Sequence, residues 1–114
     1  MMAATFLSLA LLFQASASAA AEHMHAGVEA DKNGQFDSAL SEFQKAIDLD
    51  PKLALAFVDL GGVFLQKRDY ASAVPPLKHA LELDPNVEGG NRLLGYALLA
   101  QGYSVEAKIG RAHV

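Results

Sequence analysis

The sequence predicts an all-α protein built from antiparallel helix pairs, and three observations support this prediction. Hydrophobic residues make up 52% of the 114-residue chain and charged residues only 19%. Ala and Leu dominate while β-branched residues are few, which favours packed helices over sheet. The chain also repeats itself, because segment 46–51 (AIDLDP) returns as segment 80–85 (ALELDP). A chain of this length has room for one small domain or for a few units of a repeat array.

The interval that separates Ala46 from Ala80 recurs at other positions of the chain. The residues related by it are Gly27, Gly61 and Gly95; Ala39, Ala73 and Ala107; Phe36 and Tyr70; and Phe43 and Leu77. A Gly inside one helical segment, small residues in the next and a Pro at the unit boundary, with a period of about 34 residues, resemble the tetratricopeptide repeat (TPR) family. The resemblance covers about residues 20–107, which is nearly the whole chain beyond its leader.

The resemblance implies an α-solenoid of antiparallel helix pairs in a right-handed superhelix, with about two and a half repeats. The repeats are expected at about 20–53, 54–87 and 88–108, and the last of them is incomplete. Helices are expected at about 20–33, 37–49, 53–67, 71–83, 87–101 and from 104 to the end.

Glycines and prolines define the expected packing and turns. Gly inside a helix costs about 1 kcal/mol relative to Ala, so we expect Gly61 and its equivalents to permit close helix approach. Turns are expected at Lys32-Asn33-Gly34 and at Gln101-Gly102, and Arg68 is expected to take the corresponding position with strain. The pair Pro75-Pro76 predicts a late or bent start of the fourth helix.

The first twenty-one residues resemble a secretory signal peptide, which predicts an exported protein, periplasmic or secreted. They carry no charged side chain, and the apolar run 6–13 is too short to cross a bilayer. Small residues at 15–21 offer several A-x-A cleavage sites, and we expect cleavage near Ala19 or Ala21. The mature chain then has no stable membrane span. An uncleaved anchor or an additional buried helix are the alternatives.

The last six residues, 109–114 (IGRAHV), break the apolar pattern of the repeats. Arg111 stands where Phe43 and Leu77 are expected to pack. The segment resembles the translation of a common sequencing adapter, which makes it a candidate non-native tail that replaces the natural continuation. A polar C-terminal helix turn is the alternative interpretation.

Composition and motifs argue against several functions. The formal charge of −4 gives nucleic acid no overall attraction, and there is no cysteine for thiol chemistry. His23 and His25 point to different helix faces at their spacing and lack further ligands, so packing is the better interpretation of His23 than metal binding. No nucleophile elbow or phosphate loop is present. The sequence therefore predicts no enzyme, no cofactor and no metal site.

In the TPR family the first helices of successive units line a concave groove, and the resemblance implies a peptide groove here. The residues that would line it are Met24, Val28, Asp31, Val58, Asp59, Gly62, Leu65, Gln66, Arg92, Tyr96 and Leu99. The competing interpretation is that Val58, Leu65 and Leu99 only complete inter-helix packing. Some family members bind a C-terminal carboxylate there through Lys, Asn and Arg. That activity is not transferred, because the needed positions hold Met24, Val28, Gly62, Gly89 and Leu93.

Three functional hypotheses follow. The first is an exported scaffold that binds a protein or peptide partner in the groove, with Arg92 and Asp59 setting orientation and Tyr96 as anchor. The second is an accessory domain of a larger exported enzyme. The third is self-association through the incomplete last repeat.

Overall fold

Five α-helices make up the regular structure of the chain in the computed structural model, which describes the backbone of residues 2–110 and the side chains of residues 9–103. No strand occurs within that part, so the all-α prediction is confirmed. The chain divides after Leu53 into two units. The helices of unit 1 are α1 (Met2–Lys32) and α2 (Phe36–Leu49), and those of unit 2 are α3 (Ala54–Gln66), α4 (Tyr70–Leu83) and α5 (Gly90–Gly110).

The turns between α1 and α2 and between α3 and α4 are closed by the same backbone hydrogen bond. The amide of Gln35 donates to the carbonyl of Ala30 at 2.8 Å, and one repeat later the amide of Asp69 donates to the carbonyl of Phe64 at 2.9 Å. A hydrogen bond from the amide of residue i to the carbonyl of residue i−5, with residue i−1 in the left-handed conformation, is the Schellman motif that ends a helix. The sequence repeat is therefore also a repeat of helix endings.

The left-handed residue of each turn is the one expected from the sequence. Gly34 has a φ of 73° and Arg68 a φ of 61°. Left-handed geometry costs a non-glycine residue on the order of 1–2 kcal/mol because its Cβ approaches the following carbonyl oxygen. The prediction that Arg68 takes this position with strain is confirmed.

The third turn, predicted at Gln101-Gly102, is wrong, and so is a separate helix from residue 104. The helix α5 continues through Gly102 to Gly110, although Gly102 stands at the repeat position equivalent to Arg68. A helical hairpin is stabilised by the apolar side chains that its second helix buries against the first. Arg111, which lies outside the described residues, replaces the bulky apolar residue at the position equivalent to Leu77. Straight continuation keeps the helical hydrogen bonds, so the local turn signal does not prevail.

We expect Gly102→Ala to raise the free energy of unfolding by up to about 1 kcal/mol, because a helix-interior glycine is replaced by the strongest helix former. An ideal Cβ at Gly102 has no described atom within 4 Å, so the methyl group has room. Gly34→Ala is the matched control and should destabilise, because its φ is positive. Urea denaturation measures both. Destabilisation by both substitutions would indicate a turn at Gly102 in solution.

Two other helix starts differ from expectation. The helix α1 begins at Met2 rather than near residue 20, so the predicted signal segment 1–21 is helical over its described residues. It is rich in Ala and Leu and contains no Gly or Pro that would interrupt a helix. The predicted late start of the fourth helix is wrong, because α4 begins at Tyr70 with Pro75 and Pro76 inside it.

The early start of α4 has a cap to support it. The carboxylate of Asp69 accepts a hydrogen bond from the amide of Ser72 at 3.2 Å, which satisfies one of the free donors of the first turn. The prolines remove amide donors whose helical acceptors would be the carbonyls of Ala71 and Ser72. Ala71 is exposed and Ser72 half-buried, so water can compensate.

Helices pack antiparallel within each unit, and a glycine of one helix meets a bulky residue of the next. An ideal Cβ at Gly27 would lie 2.5 Å from the ring of Phe43, and one at Gly61 would lie 2.6 Å from Cγ of Leu77. Phe43 and Leu77 are among the largest fully buried side chains. Gly95 differs, because no described atom lies within 4 Å of its ideal Cβ. The predicted close approach therefore holds at two of the three glycines.

The remaining expectations concern membrane spans and the C-terminal tail. Among the helices of the described residues, none combines the length and apolar character needed to cross a membrane. Of the candidate non-native tail 109–114, only the backbone of residues 109–110 falls within the described part, and the rest of it lies outside. The superhelical arrangement of the repeats stays a prediction.

Candidate functional site

The residues predicted to line a groove differ in exposure. In unit 1, Met24 and Val28 are half-buried on α1. In unit 2, Val58 is 3% and Leu65 is 8% exposed, and both belong to the hydrophobic core between the helices. The groove candidates Asp59 and Gly62 are half-buried, and Gln66, Arg92, Tyr96 and Leu99 are exposed. Val58 therefore serves packing, and the accessible part of the predicted set in unit 2 centres on α5.

The exposed candidates on α5 lie on one helix face. Arg92, Tyr96 and Leu99 are spaced by four and three residues, and Tyr103 continues the same face by another four. Tyr96 is 54%, Leu99 58% and Tyr103 63% exposed. We call these four residues the α5 stripe. Scattered apolar residues on a surface are normal, whereas a continuous row of large ones is typical of a contact surface.

A first depression lies between α3 and α5. It has a volume of about 550 Å³ and is lined by Gly62, Leu65, Gln66, Arg92, Leu93 and Tyr96. Gly62 leaves space on the α3 side, since an ideal Cβ there would lie 3.8 Å from Cδ1 of Leu93. The floor is apolar, with polar side chains at the rim. Such a surface can accept an apolar side chain of a ligand and fix its orientation by polar contacts.

A second depression adjoins the first and shares Tyr96 with it. It has a volume of about 420 Å³ and is lined by Tyr70, Tyr96, Leu99, Ala100 and Tyr103. The rings of Tyr70 and Tyr96 meet edge to face, with centroids 6.3 Å apart and an interplanar angle of 77°. Edge-to-face contact restrains both rings. Sequence reasoning missed Tyr70 and Tyr103 as lining residues.

Arg92 provides the charge of the α5 stripe. Within residues 9–103, no hydrogen bond or ion pair engages its guanidinium group. The group is exposed and adjoins the apolar floor of the first depression. An unengaged guanidinium at the rim of an apolar surface can pair with a carboxylate of a ligand or donate to its backbone carbonyls.

Two histidines, His23 and His79, have partners that the sequence did not reveal. His23 Nδ1 lies 2.7 Å from Oε2 of Glu42 across the α1–α2 hairpin, so His23 forms a cross-helix contact in addition to packing. His79 Nδ1 lies 3.4 Å from Oε2 of Glu82. The His79 ring also meets the Phe57 ring edge to face, with centroids 4.5 Å apart. Among the described residues, no group of three or more His, Asp or Glu side chains is arranged to bind a metal ion.

The hydrogen bond to His23, followed by that from Lys45, lowers the pKa of Glu42 below its ordinary value of 4.5. A carboxyl group whose pKa is lower in the folded than in the unfolded protein stabilises the fold at pH values above its unfolded-state pKa. This stabilisation is lost as the pH falls through its folded-state pKa. We expect the unfolding free energy of the wild type to fall more steeply than that of Glu42→Gln between about pH 5 and about pH 3.

Denaturant titrations at several pH values measure this difference. Glu29→Gln removes an exposed carboxylate that pairs with Lys32 at 3.4 Å on α1 and serves as the control. It should leave the pH dependence nearly unchanged because exposed pairs contribute little. Equal slopes for the wild type and Glu42→Gln would show that the cross-helix contact does not persist in solution.

Comparisons with known proteins agree with the repeat. A family model described as Tetratricopeptide repeat matches residues 23–53 and 54–87, more than half of the chain. DnaJ homolog subfamily C member 3 of Rattus norvegicus is 32% identical over 87 residues, which are 76% of this chain and 17% of that protein. Bacteriophage adsorption protein A of Escherichia coli K12 is 36% identical over 69 residues, 60% of this chain and 7% of that protein. Cellulose synthase operon protein C of the same strain is 36% identical over 66 residues, which are 58% of this chain and 6% of that protein. The chain thus spans less than a fifth of the length of these relatives.

Proposed function

The chain belongs to the tetratricopeptide repeat family, and we propose that it is a non-catalytic interaction module that binds a polypeptide segment of a partner protein. The observation that supports this most is the α5 stripe, in which large apolar side chains stay exposed beside two adjoining depressions. Burial of such side chains is the main source of affinity in protein contacts. A partner helix or an extended peptide would provide that burial.

Tyr96 is the proposed anchor because it lines both depressions. Its ring is held by Tyr70, so little side-chain entropy remains to be lost when a ligand covers it. Arg92 sets the orientation of the ligand through its guanidinium group, and Asp59 is proposed to assist from α3. In the first repeat, Met24 and Val28 are the proposed groove residues.

We expect Tyr96→Ala to weaken peptide binding by at least about tenfold, because truncation of a central aromatic anchor commonly costs about 2 kcal/mol or more. Peptides would be selected from a random display library on the full chain and their affinities measured by calorimetry. Leu55→Ala is the matched control. Leu55 is 44% exposed on α3 and lines neither depression, so its removal should leave the affinity unchanged.

Two results would contradict the proposed groove. Selected peptides that bind Tyr96→Ala as tightly as the wild type must bind elsewhere, and a library that yields no binders argues against peptide recognition. Self-association through α5, proposed from its exposed Leu98 and Leu99, is the competing use of this helix. Light scattering at increasing protein concentration distinguishes it, because a stripe covered by a second copy would bind peptide only in competition with dimerisation.

The second candidate function is an accessory domain of a larger exported enzyme. The low coverage of the relatives, 17% for DnaJ homolog subfamily C member 3 and 7% for bacteriophage adsorption protein A, favours a module that acts within a longer protein. The full reading frame of the gene tests this candidate, because a catalytic domain encoded in it would be evident. In that case the α5 stripe would hold a partner or substrate polypeptide for that domain.

We propose export as the localisation, on the basis of the uncharged apolar leader and its A-x-A sites at residues 15–21. A reporter enzyme that is active only outside the cytoplasm, fused after residue 30, tests this proposal. Activity that disappears when residues 6–13 are replaced by polar residues supports export. Activity that is independent of the leader contradicts it.

A further inference from the structure

The two expected cleavage junctions of the leader lie inside the folded part of unit 1. Residues 15–21 are helical in α1, and Ala20 is 1% exposed. Ala20 follows Ser16 by four residues and precedes His23 by three, so the three residues share one face of α1. Ser16 and His23 both contact α2, which places Ala20 on the face that packs against this helix.

Contacts on both sides of the junctions hold this part of α1 in place. On the N-terminal side, the Ser16 hydroxyl donates to the carbonyl of Leu49 at 3.1 Å. On the C-terminal side, His23 contacts Glu42 at 2.7 Å. Local separation of α1 from α2 at the junctions must therefore break contacts in both directions.

Peptide hydrolysis at these junctions requires a different backbone conformation. A protease binds its substrate as an extended strand that pairs with the enzyme through main-chain hydrogen bonds. In a helix those groups are used internally, so a folded helix is cut only after it opens locally. The buried Ala20 adds to this barrier, because its side chain must leave α2 before residues 19–21 can adopt an extended conformation.

We infer that folding of unit 1 and removal of the leader compete, so that the leader is cut only before α1 packs onto α2. This inference rests on the proposed export function. In the cleavage step, water adds across the peptide bond after Ala19 or after Ala21. The products are a leader that ends in a carboxylate and a chain that begins with a new α-amino group. A chain that folds first retains its leader as the N-terminal part of α1.

Early cleavage and early folding leave unit 1 with different sets of contacts. Cleavage removes the exposed Ser16–Leu49 hydrogen bond and, when it occurs after Ala21, the buried Ala20 as well. The mature chain keeps the His23–Glu42 contact and the Gly27–Phe43 packing between α1 and α2. Early folding blocks the junctions, so the order of the two events decides which form accumulates.

Elastase, which cuts after small residues, tests the inference on the full purified chain, with mass spectrometry to quantify cuts after Ala19 and Ala21. We expect cleavage at these junctions to be at least about tenfold slower in the native chain than in urea, because the folded helix must open first. Phe43→Ala should raise the native rate by about tenfold or more, since it weakens α1–α2 packing. Leu77→Ala removes the equivalent side chain from unit 2 and should leave the rate near that of the wild type.

Each outcome decides the inference. If Phe43→Ala unfolds unit 1, its rate should equal the rate in urea, and Glu42→Gln, which keeps Phe43, should give an intermediate rate. Equal rates for the native and the urea-treated chain, or equal acceleration by Phe43→Ala and Leu77→Ala, would overturn it. The reporter fusion tests export separately. A protected junction in a chain that is not exported means that the export proposal has failed, whereas export with an unprotected junction overturns only the competition.

Discussion

Gly61→Leu is expected to lower the free energy of unfolding by about 1–3 kcal/mol, although leucine is a far better helix former than glycine. The ideal Cβ at this position lies 2.6 Å from Cγ of Leu77, closer than any ordinary contact. Leu77 is fully buried in the core of unit 2, so it has no free volume into which to move. The overlap therefore outweighs the gain in helix propensity, and urea denaturation should show a lower midpoint.

Gly95 provides a control position at which helix propensity acts without a close contact to the described residues. It is the equivalent of Gly61 in the next repeat, but no described atom lies within 4 Å of its ideal Cβ. Gly95→Ala is therefore expected to stabilise by up to about 1 kcal/mol, through helix propensity alone. If the melting temperature of Gly61→Leu rises as well, the close contact between α3 and α4 does not exist in solution.

Phe43→Ala is expected to cost about 3–5 kcal/mol, the largest effect of any substitution proposed for this chain. The Phe43 ring is 1% exposed and lies against the backbone of α1 at Gly27, where an added Cβ would be only 2.5 Å from the ring. Gly27 has no side chain that could move into the space left by the ring. The cavity therefore persists, and unit 1 loses both apolar burial and dispersion contacts.

Phe13→Ala is the control for this prediction, because Phe13 is 79% exposed on α1. Its removal should change the unfolding free energy by no more than about 0.5 kcal/mol, as for most surface substitutions. Thermal and urea unfolding of the full chain measure both variants. A small effect of Phe43→Ala would mean that α1 and α2 separate easily in solution, which would also weaken the inferred protection of the leader.

The sequence predicted some of the residues that line the candidate binding surface and missed others. The TPR resemblance named Arg92, Tyr96 and Leu99 as groove residues, and in the structure all three are exposed on α5. It could not separate Tyr96 and Leu99 from Val58, which is also apolar but is buried in the core. Tyr70 escaped prediction because it lies on a different helix and meets Tyr96 only after α4 and α5 have packed. Tyr103 escaped prediction because a turn was expected just before it, at Gln101-Gly102, where α5 continues.

The sequence by itself determined the first two helix pairs, the turns at Gly34 and Arg68, and the close helix approach at Gly27 and Gly61. These features arise from short-range signals that recur from one repeat to the next. Only the tertiary structure decided that Gly102 stays helical, that the ideal Cβ of Gly95 meets no described atom within 4 Å, and that His23 contacts Glu42. The physical reason is the same in each case. A turn signal, a small residue or a polar side chain takes its role from the helix packed against it, and that helix is specified elsewhere in the chain.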